Sequence, residues 1–260
     1  MQNEVWIRLG AFFGVFVLMS ALEAAFPRRP RKLPRLRRWP GNLGMVASAA
    51  LLARLLLPMA PVGAALWSAQ QGVGLFHALP LPPLVEGVMA VLFLDAAIYW
   101  QHRAFHRFRP LWRVHRMHHS DLDLDASSGL RFHPIELLAS LIFKMLLVVL
   151  LGASAVSVLV FELLLNGCAM FNHANLALPP RADRLLRLLL ITPDMHRVHH
   201  STDMRESNRN FGFSVPWWDR IFATYKPHPD KGQLGMEIGL NIFRSPSFSR
   251  IDRLLLLPFL

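Results

Sequence analysis

Five long stretches of the chain are predominantly apolar: Val5 to Phe26, Leu43 to Trp67, Leu84 to Trp100, Ile135 to Gly152 and Ala155 to Phe171. Each approaches the roughly 20 residues that a helix needs to cross a hydrocarbon core of about 30 Å. The pattern predicts an all-α fold, a multi-span integral membrane helical bundle of about 4 or 5 transmembrane helices. The first stretch lacks a basic leader, carries Arg8 and ends in a Pro/Arg block without a small-residue cleavage site, so it reads as a retained helix rather than a signal peptide.

Between and after the spans the polar residues fall at helical spacing. In "DAAIYWQHRAFH", Asp95, His102 and His106 follow at seven- and four-residue steps and share one face of a helix leaving the membrane, which Pro110 ends or bends. "LWRVHRMHH" predicts a second short helix, and "DLDLDASSGLRFHP" a loop returning to the membrane. "PRADRLLRLLLITPDMHRVHH" predicts an amphipathic surface helix with Arg181, Arg184 and Arg187 outward, a break at Pro193 and a histidine-bearing helix. "LPLPPL", Leu79 to Leu84, interrupts regular structure before the third span. Three regions result: residues 1–82 with two helices and a basic loop, a chemically dense region 83–225, and a tail 226–260 whose "RIDRLLLLPFL" suits a short interfacial segment.

Composition agrees with a membrane protein, since 53% of the residues are apolar. The net charge of +11 is unevenly placed: Phe26 to Pro40 holds seven Lys/Arg and no acid, whereas Ser68 to Leu84 holds no charged residue. A basic run pinned between two spans is a topology signal rather than a nucleic-acid site, and it assigns the first loop to the cytoplasm. Counting spans onward brings the chain back to the cytoplasmic side before His102 and again before His173, so the predicted histidine-rich helical cap faces the cytoplasm. The reading is a bacterial inner-membrane protein, with no nucleic-acid partner. A lone Cys168 excludes an intrachain disulfide and a cysteine-based zinc site.

Ten of the twelve histidines lie between His102 and His200. "HRAFH" supplies His102 and His106, "HRMHH" supplies His115, His118 and His119, "HRVHH" supplies His196, His199 and His200, and "FNHAN" adds His173. Histidines at i, i+3 and i+4 share a helix face, and three such faces can surround one or two metal ions without a carboxylate. Eight or nine imidazoles exceed the need of one tetrahedral zinc, so two metals are the economical reading. His133 is a further candidate ligand or a neighbour of the site, while His77 and His228 read as structural. A zincin requires Glu in HExxH, but Arg103, Arg116 and Arg197 occupy that position. The histidines also lie at or beyond the span ends, unlike haem ligands inside a membrane cytochrome.

Few polar residues interrupt the third to fifth spans. Asp95 is a candidate to orient a ligand ring from beneath, Asn166 and Glu162 share a face with His173, and Lys144 suits a buried pair with Glu162. Asn208, Asn210 and Gly212 follow the last histidine box and suit a loop covering it, with Asn210 a further candidate support of the site; Asp219 and Arg220 suit a local ion pair. No nucleotide or flavin fingerprint and no iron–sulfur ligand set is evident.

At these residues the chain resembles the fatty acid hydroxylase/sterol desaturase superfamily of membrane non-haem di-iron oxidases. "HRAFH", "HRMHH" and "HRVHH" stand in the family's order, with similar flanks in "RFHPIE", "FNHANL" and "NRNFGFSVPWWDRIFATY", and the resemblance covers about Leu84 to Tyr225. It implies two iron ions held by the eight box histidines with His173 as a ninth ligand, O2 as co-substrate, and hydroxylation or desaturation of a lipid such as a fatty acyl chain or sterol. It implies no catalytic side chain beyond the metal centre, and electrons from a separate NAD(P)H-linked donor, a ferredoxin- or cytochrome-type protein with its reductase. The alternative is a membrane metal-binding protein without redox catalysis.

Overall fold

Proline and the ends of the apolar stretches set the helix boundaries. The computed structural model describes residues 3–79 and 81–260. Its long helices are α1 (Glu4–Ala25), α2 (Arg35–Leu56), α4 (Pro83–Arg107), α6 (Pro134–Leu151) and α7 (Ala155–His173), with the shorter α3 (Pro61–Gln71) between the second and third. Pro61, Pro83 and Pro134 occupy the first turn of their helices, where a missing N–H costs nothing. Among the described residues there is no strand, only two isolated bridges, Pro27 with Leu176 and Ser201 with Ile238. The protein is therefore all-helical, with five segments long and apolar enough to span a membrane.

The second span differs from its sequence reading. Helix α2 starts at Arg35, inside the basic block, and ends at Leu56; Pro58 and Pro61 separate it from α3. The α3 helix packs on α6 and α7, and the chain beyond it approaches the α6–α7 turn closely. Gly152 caps α6 in the left-handed region with Gly74 and His77 against it, so His77 lies at the bundle end away from the other clustered histidines. Pro80, within the predicted break, lies outside the described residues.

At the opposite end, α4 gives way at Phe108 to α5 (Arg109–His119), with Pro110 in its first turn. The amphipathic segment forms α8 (Pro180–Leu186), and α9 (Pro193–His199) carries the last histidines. Here the basic loop is folded into the protein rather than merely solvated. The Arg38 side chain is completely buried, donating from Nε and Nη2 to Asp121 at 2.8 and 2.7 Å and from Nη1 to Asp125 at 2.6 Å. Burial alone would raise the Asp121 carboxyl, but Arg38 and then Arg131 hold it well below the usual carboxylate range. The acidic turn is thus inserted between α2 and α7. Its Gly129 passes so close to Ala169 that a Cβ there would lie 2.4 Å from the Ala169 carbonyl oxygen.

The tail also contributes to the core. Leu254 and Leu257 pack with Met45 and Met117, while Leu256, Phe259 and Leu260 stay exposed. Deep in the bundle Lys144 Nζ meets Glu162 Oε1 at 2.9 Å, and Arg8 meets Glu162 Oε2 at 2.7 Å. The expected Lys144–Glu162 pair therefore has a third member from α1.

Candidate metal centre

Four helix ends supply the imidazoles. The C-terminal turns of α4 and α7, the last two turns of α5 and the short α9 converge at one end of the bundle. Nine histidines fall into two neighbouring groups, His102, His106, His115, His119 and His199 in one, and His118, His173, His196 and His200 in the other. Within each group one ring nitrogen per residue lies within 4.8 Å of all the others. The i, i+3, i+4 pattern divides each pentad: His118 joins the second group while His115 and His119 join the first, and His199 leaves the group of His196 and His200. All are buried except the half-buried His106.

Hydrogen bonds fix several ring orientations. His102 Nδ1 meets the Phe211 carbonyl at 2.8 Å, His199 Nδ1 that of Arg209 at 2.8 Å, His173 Nδ1 that of Ala169 at 2.7 Å and His118 Nδ1 that of Arg131 at 3.2 Å. A carbonyl only accepts, so Nδ1 carries the proton and Nε2 presents a lone pair. Yet Nε2 of His199 lies 3.0 Å from Nε2 of His102, and Nε2 of His173 lies 3.0 Å from Nε2 of His118. Two lone pairs so placed repel unless a cation lies between them. The donor set suits a borderline transition metal with imidazole ligands oriented from behind. Burial pushes His199 down to about 3 and His118, His119, His196 and His200 well below the ordinary histidine range, with neighbouring imidazoles adding to burial in the last four. They are neutral, as ligation requires.

The other candidates lie around this core. His133 is apart from both groups: its Nδ1 accepts from Ile135 N–H as the cap of α6, and its Nε2 meets the Leu255 carbonyl at 3.2 Å. Asp95 is bonded to no histidine; its Oδ2 accepts from Trp218 Nε1 at 2.8 Å, tying α4 to the "WWDR" segment. Asn166 donates to the Glu162 carbonyl within α7. Asn210, held at φ 52°, donates to the Met195 and Lys226 carbonyls and accepts from Lys226 N–H, clamping the loop beyond α9. Arg116 and Arg197 turn away, to the Leu257 carbonyl and to Asp194, Gln233 and the Ala174 carbonyl.

Two carboxylates near the site were not legible as such. Glu136 Oε1 lies 2.6 Å from His115 Nδ1, the one carboxylate bonded to a clustered ring among the described residues. Its signal was its place in "RFHPIE", in the first turn of α6. Asp219 does not pair with Arg220, contrary to expectation. It accepts from the N–H groups of Phe211 and Gly212 at 2.8 Å each and from Thr224 at 2.6 Å, while Arg220 bonds the Arg187 carbonyl. Asp219 thereby fixes the Phe211 peptide, whose carbonyl orients His102.

A cavity of about 250 Å³ abuts the first group, with His102 and His115 in its wall and Ile98, Phe105, Leu137 and Phe213 among its apolar lining. It runs down into the bundle as far as Lys144 and Glu162.

Fold and site define a class: a helical membrane protein whose buried histidines form two potential metal sites beside an apolar-walled cavity. The family profile described as fatty acid hydroxylase matches residues 87–224, and the chain belongs to that family, within the fatty acid hydroxylase/sterol desaturase superfamily. Among curated proteins it is 33% identical over 173 residues to an alkylglycerol monooxygenase of Danio rerio, covering 65% of this chain and 37% of that one. It is 29% identical over 157 residues to ornithine lipid hydroxylase OlsE of Rhizobium tropici (60% and 46%), and 28% identical over 161 residues to very-long-chain aldehyde decarbonylase GL1-5 of Oryza sativa subsp. indica (55% and 24%). The chain spans less than half the length of each of these relatives. No solved structure matches.

Proposed function

We propose that the protein is a membrane di-iron oxygenase that hydroxylates a C–H bond of a lipid. The observation that carries this reading is the convergence of nine histidines, eight of them buried, in two groups beside a cavity inside the bundle. The relatives named as lipid hydroxylases and monooxygenases point to the same chemistry. His102, His106, His115, His119 and His199 would hold one iron, and His118, His173, His196 and His200 the other. Bound iron would supply the activation of O2: one oxygen atom enters the C–H bond as a hydroxyl, and the other leaves as water with two electrons and two protons.

The chain's own contribution is positioning and exclusion. The Phe211, Arg209, Ala169 and Arg131 carbonyls hold four rings in one tautomer, and Glu136 holds a fifth. Phe105, Phe132 and Phe213 keep water from the cavity wall next to His102 and His115. Half-buried His106, with Arg103, Arg107 and Asn208 around a surface depression, gives the first group its approach from outside the bundle. That side suits a separate electron-transfer protein of ferredoxin or cytochrome type, itself reduced from NAD(P)H. The basic loop lies at the same end as the histidines, which supports a cytoplasmic orientation in a bacterial inner membrane. Residues 83–225 then form the catalytic region, and the tail braces α5 and α6.

Purified protein should carry two Fe per chain and incorporate label from 18O2 into a cellular lipid when given an electron donor. Tightly held zinc without turnover under any donor would overturn the assignment in favour of a metal-binding protein.

A further inference from the structure

Helix α5 has two chemically distinct sides. His115, His118 and His119 face the metal centre, while Arg109, Arg113 and Arg116, at steps of four and three residues, share the side turned away from it. With Pro110, Trp112 and Leu260, these arginines wall a surface depression of about 660 Å³. No carboxylate side chain lines it, and the sequence from Ala96 to Ser120 holds five arginines and no acid. Arg113 Nε donates to the Pro258 carbonyl at 2.9 Å and Arg116 Nη2 to the Leu257 carbonyl at 3.0 Å, so neutral carbonyls, not carboxylates, hold two of the three. Arg116 Nε is buried without a hydrogen-bond partner among the described residues. Burial, and then Arg113, lower the Arg116 guanidinium from its ordinary value, as expected of cations crowded without a counter-charge.

The tail beneath α5 fixes the height of the depression. Leu254 packs on Met45, just inside the apolar run of α2, and the Phe259 ring lies 6.4 Å from that of His133, which caps α6. Leu256, Phe259 and Leu260 are exposed at this level, where α6 begins with outward-facing Ile135. The arginines thus stand where hydrocarbon gives way to headgroups, with apolar side chains next to them, as in an interfacial segment. An acidic protein would match the arginines but leave those apolar side chains uncovered. Three uncompensated cations oppose a choline headgroup. A lipid of net negative charge matches both halves, phosphate to guanidinium and chain to apolar rim.

We infer that this depression binds an anionic glycerophospholipid of the surrounding bilayer, its phosphodiester held by Arg109, Arg113 and Arg116 and its acyl chains lying along Leu256, Phe259 and Leu260. The bound lipid ties α5 to the tail. Trp112 carries that restraint inward, its ring 4.8 Å from that of His106 and 5.3 Å from that of His119. The site shares no wall residue with the cavity beside the first histidine group and is independent of the oxygenase reading.

The test is native mass spectrometry of the intact chain in detergent micelles titrated with dioleoylphosphatidylglycerol or dioleoylphosphatidylcholine, with the melting temperature followed in the same mixtures. The anionic lipid should bind at least about tenfold more tightly and raise the melting temperature. Arg109 is exposed, so Arg109→Gln leaves the packing intact; it should weaken that binding about fivefold, and together with Arg113→Gln about 25-fold. Arg181→Gln with Arg184→Gln removes the same charge from exposed positions of α8 and should change binding less than about twofold. Equal binding of the two lipids overturns the inference, and so do equal losses in the two double variants, which would show diffuse surface charge. Displacement of the bound lipid by glycerol phosphate would overturn it in favour of a soluble phosphate. Polyglutamate binding that Arg109→Gln weakens, without discrimination between the lipids, would overturn it in favour of an acidic protein.

Discussion

Five imidazoles at the centre are held from behind by a carbonyl or carboxylate, and this sets what single substitutions should do. Glu136→Gln keeps the shape but loses the charged acceptor behind His115. By analogy with other metal-site supports, it should weaken iron binding about 10–100-fold, read by chelator competition, and unchanged affinity would refute the role. Protonation gives a second prediction. The folded protein holds His199 near 3 by burial, whereas an unfolded chain protonates its histidines near pH 6.5. Between those values the unfolded state binds more protons, so stability rises with pH there and is fully present above about 6.5. Metal-free protein should lose melting temperature steadily from about pH 7 to about pH 5; a flat profile would contradict the neutral, buried state of these rings.

At the scale of elements, the acidic turn between α5 and α6 joins the N-terminal helices to the histidine-bearing ones. Arg38 is enclosed by Asp121 and Asp125, with the Asp123 carbonyl also bonded. Removing the cation by Arg38→Met leaves buried Asp125 without its ion-pair partner and Asp121 with Arg131 alone, and should cost about 3–5 kcal/mol. A lowered thermal midpoint in detergent would register it, and an unchanged midpoint would show that the pair carries no such load. The same elements explain how much could be read from the chain. The histidine boxes and the five apolar stretches were legible because their geometry is local, repeating at three, four or seven residues. Glu136 and Arg38 were not, because their partners lie 21 and 83 to 87 residues away, nor was Asp219, which accepts from backbone N–H groups of a non-helical loop, and helix period carries no information about such meetings. Asp95 shows the converse: its face was read correctly, but Trp218, 123 residues on, occupies its carboxylate. The α2–α3 break was marked by Pro58 and Pro61, yet the apolar run between Leu43 and Trp67 masked it.

For the whole molecule, the ends of the bundle are chemically opposite. One holds the histidines, the basic loop and the arginines of α5; the other holds the Gly74–Gly152 approach and His77. In a Cys168→Ala background, a single cysteine placed at Gln70 should react with an impermeant thiol reagent in intact bacteria, and one at Lys231 should react only after lysis. The reverse pattern would invert the assigned orientation without changing the fold.

The burial of Arg38 has a consequence for how this chain can be divided. The family-matched segment begins at residue 87, but the acidic turn inside it has its counter-charge on a helix that begins at Arg35. A fragment starting at Pro83 would carry every histidine box and still leave Asp125 without its guanidinium and Asp121 with Arg131 alone, 4.0 Å away. The boundary of resemblance is therefore not a boundary of autonomy: the stretch without motifs acts as an internal counter-ion, and the boxes need it to stand where they do.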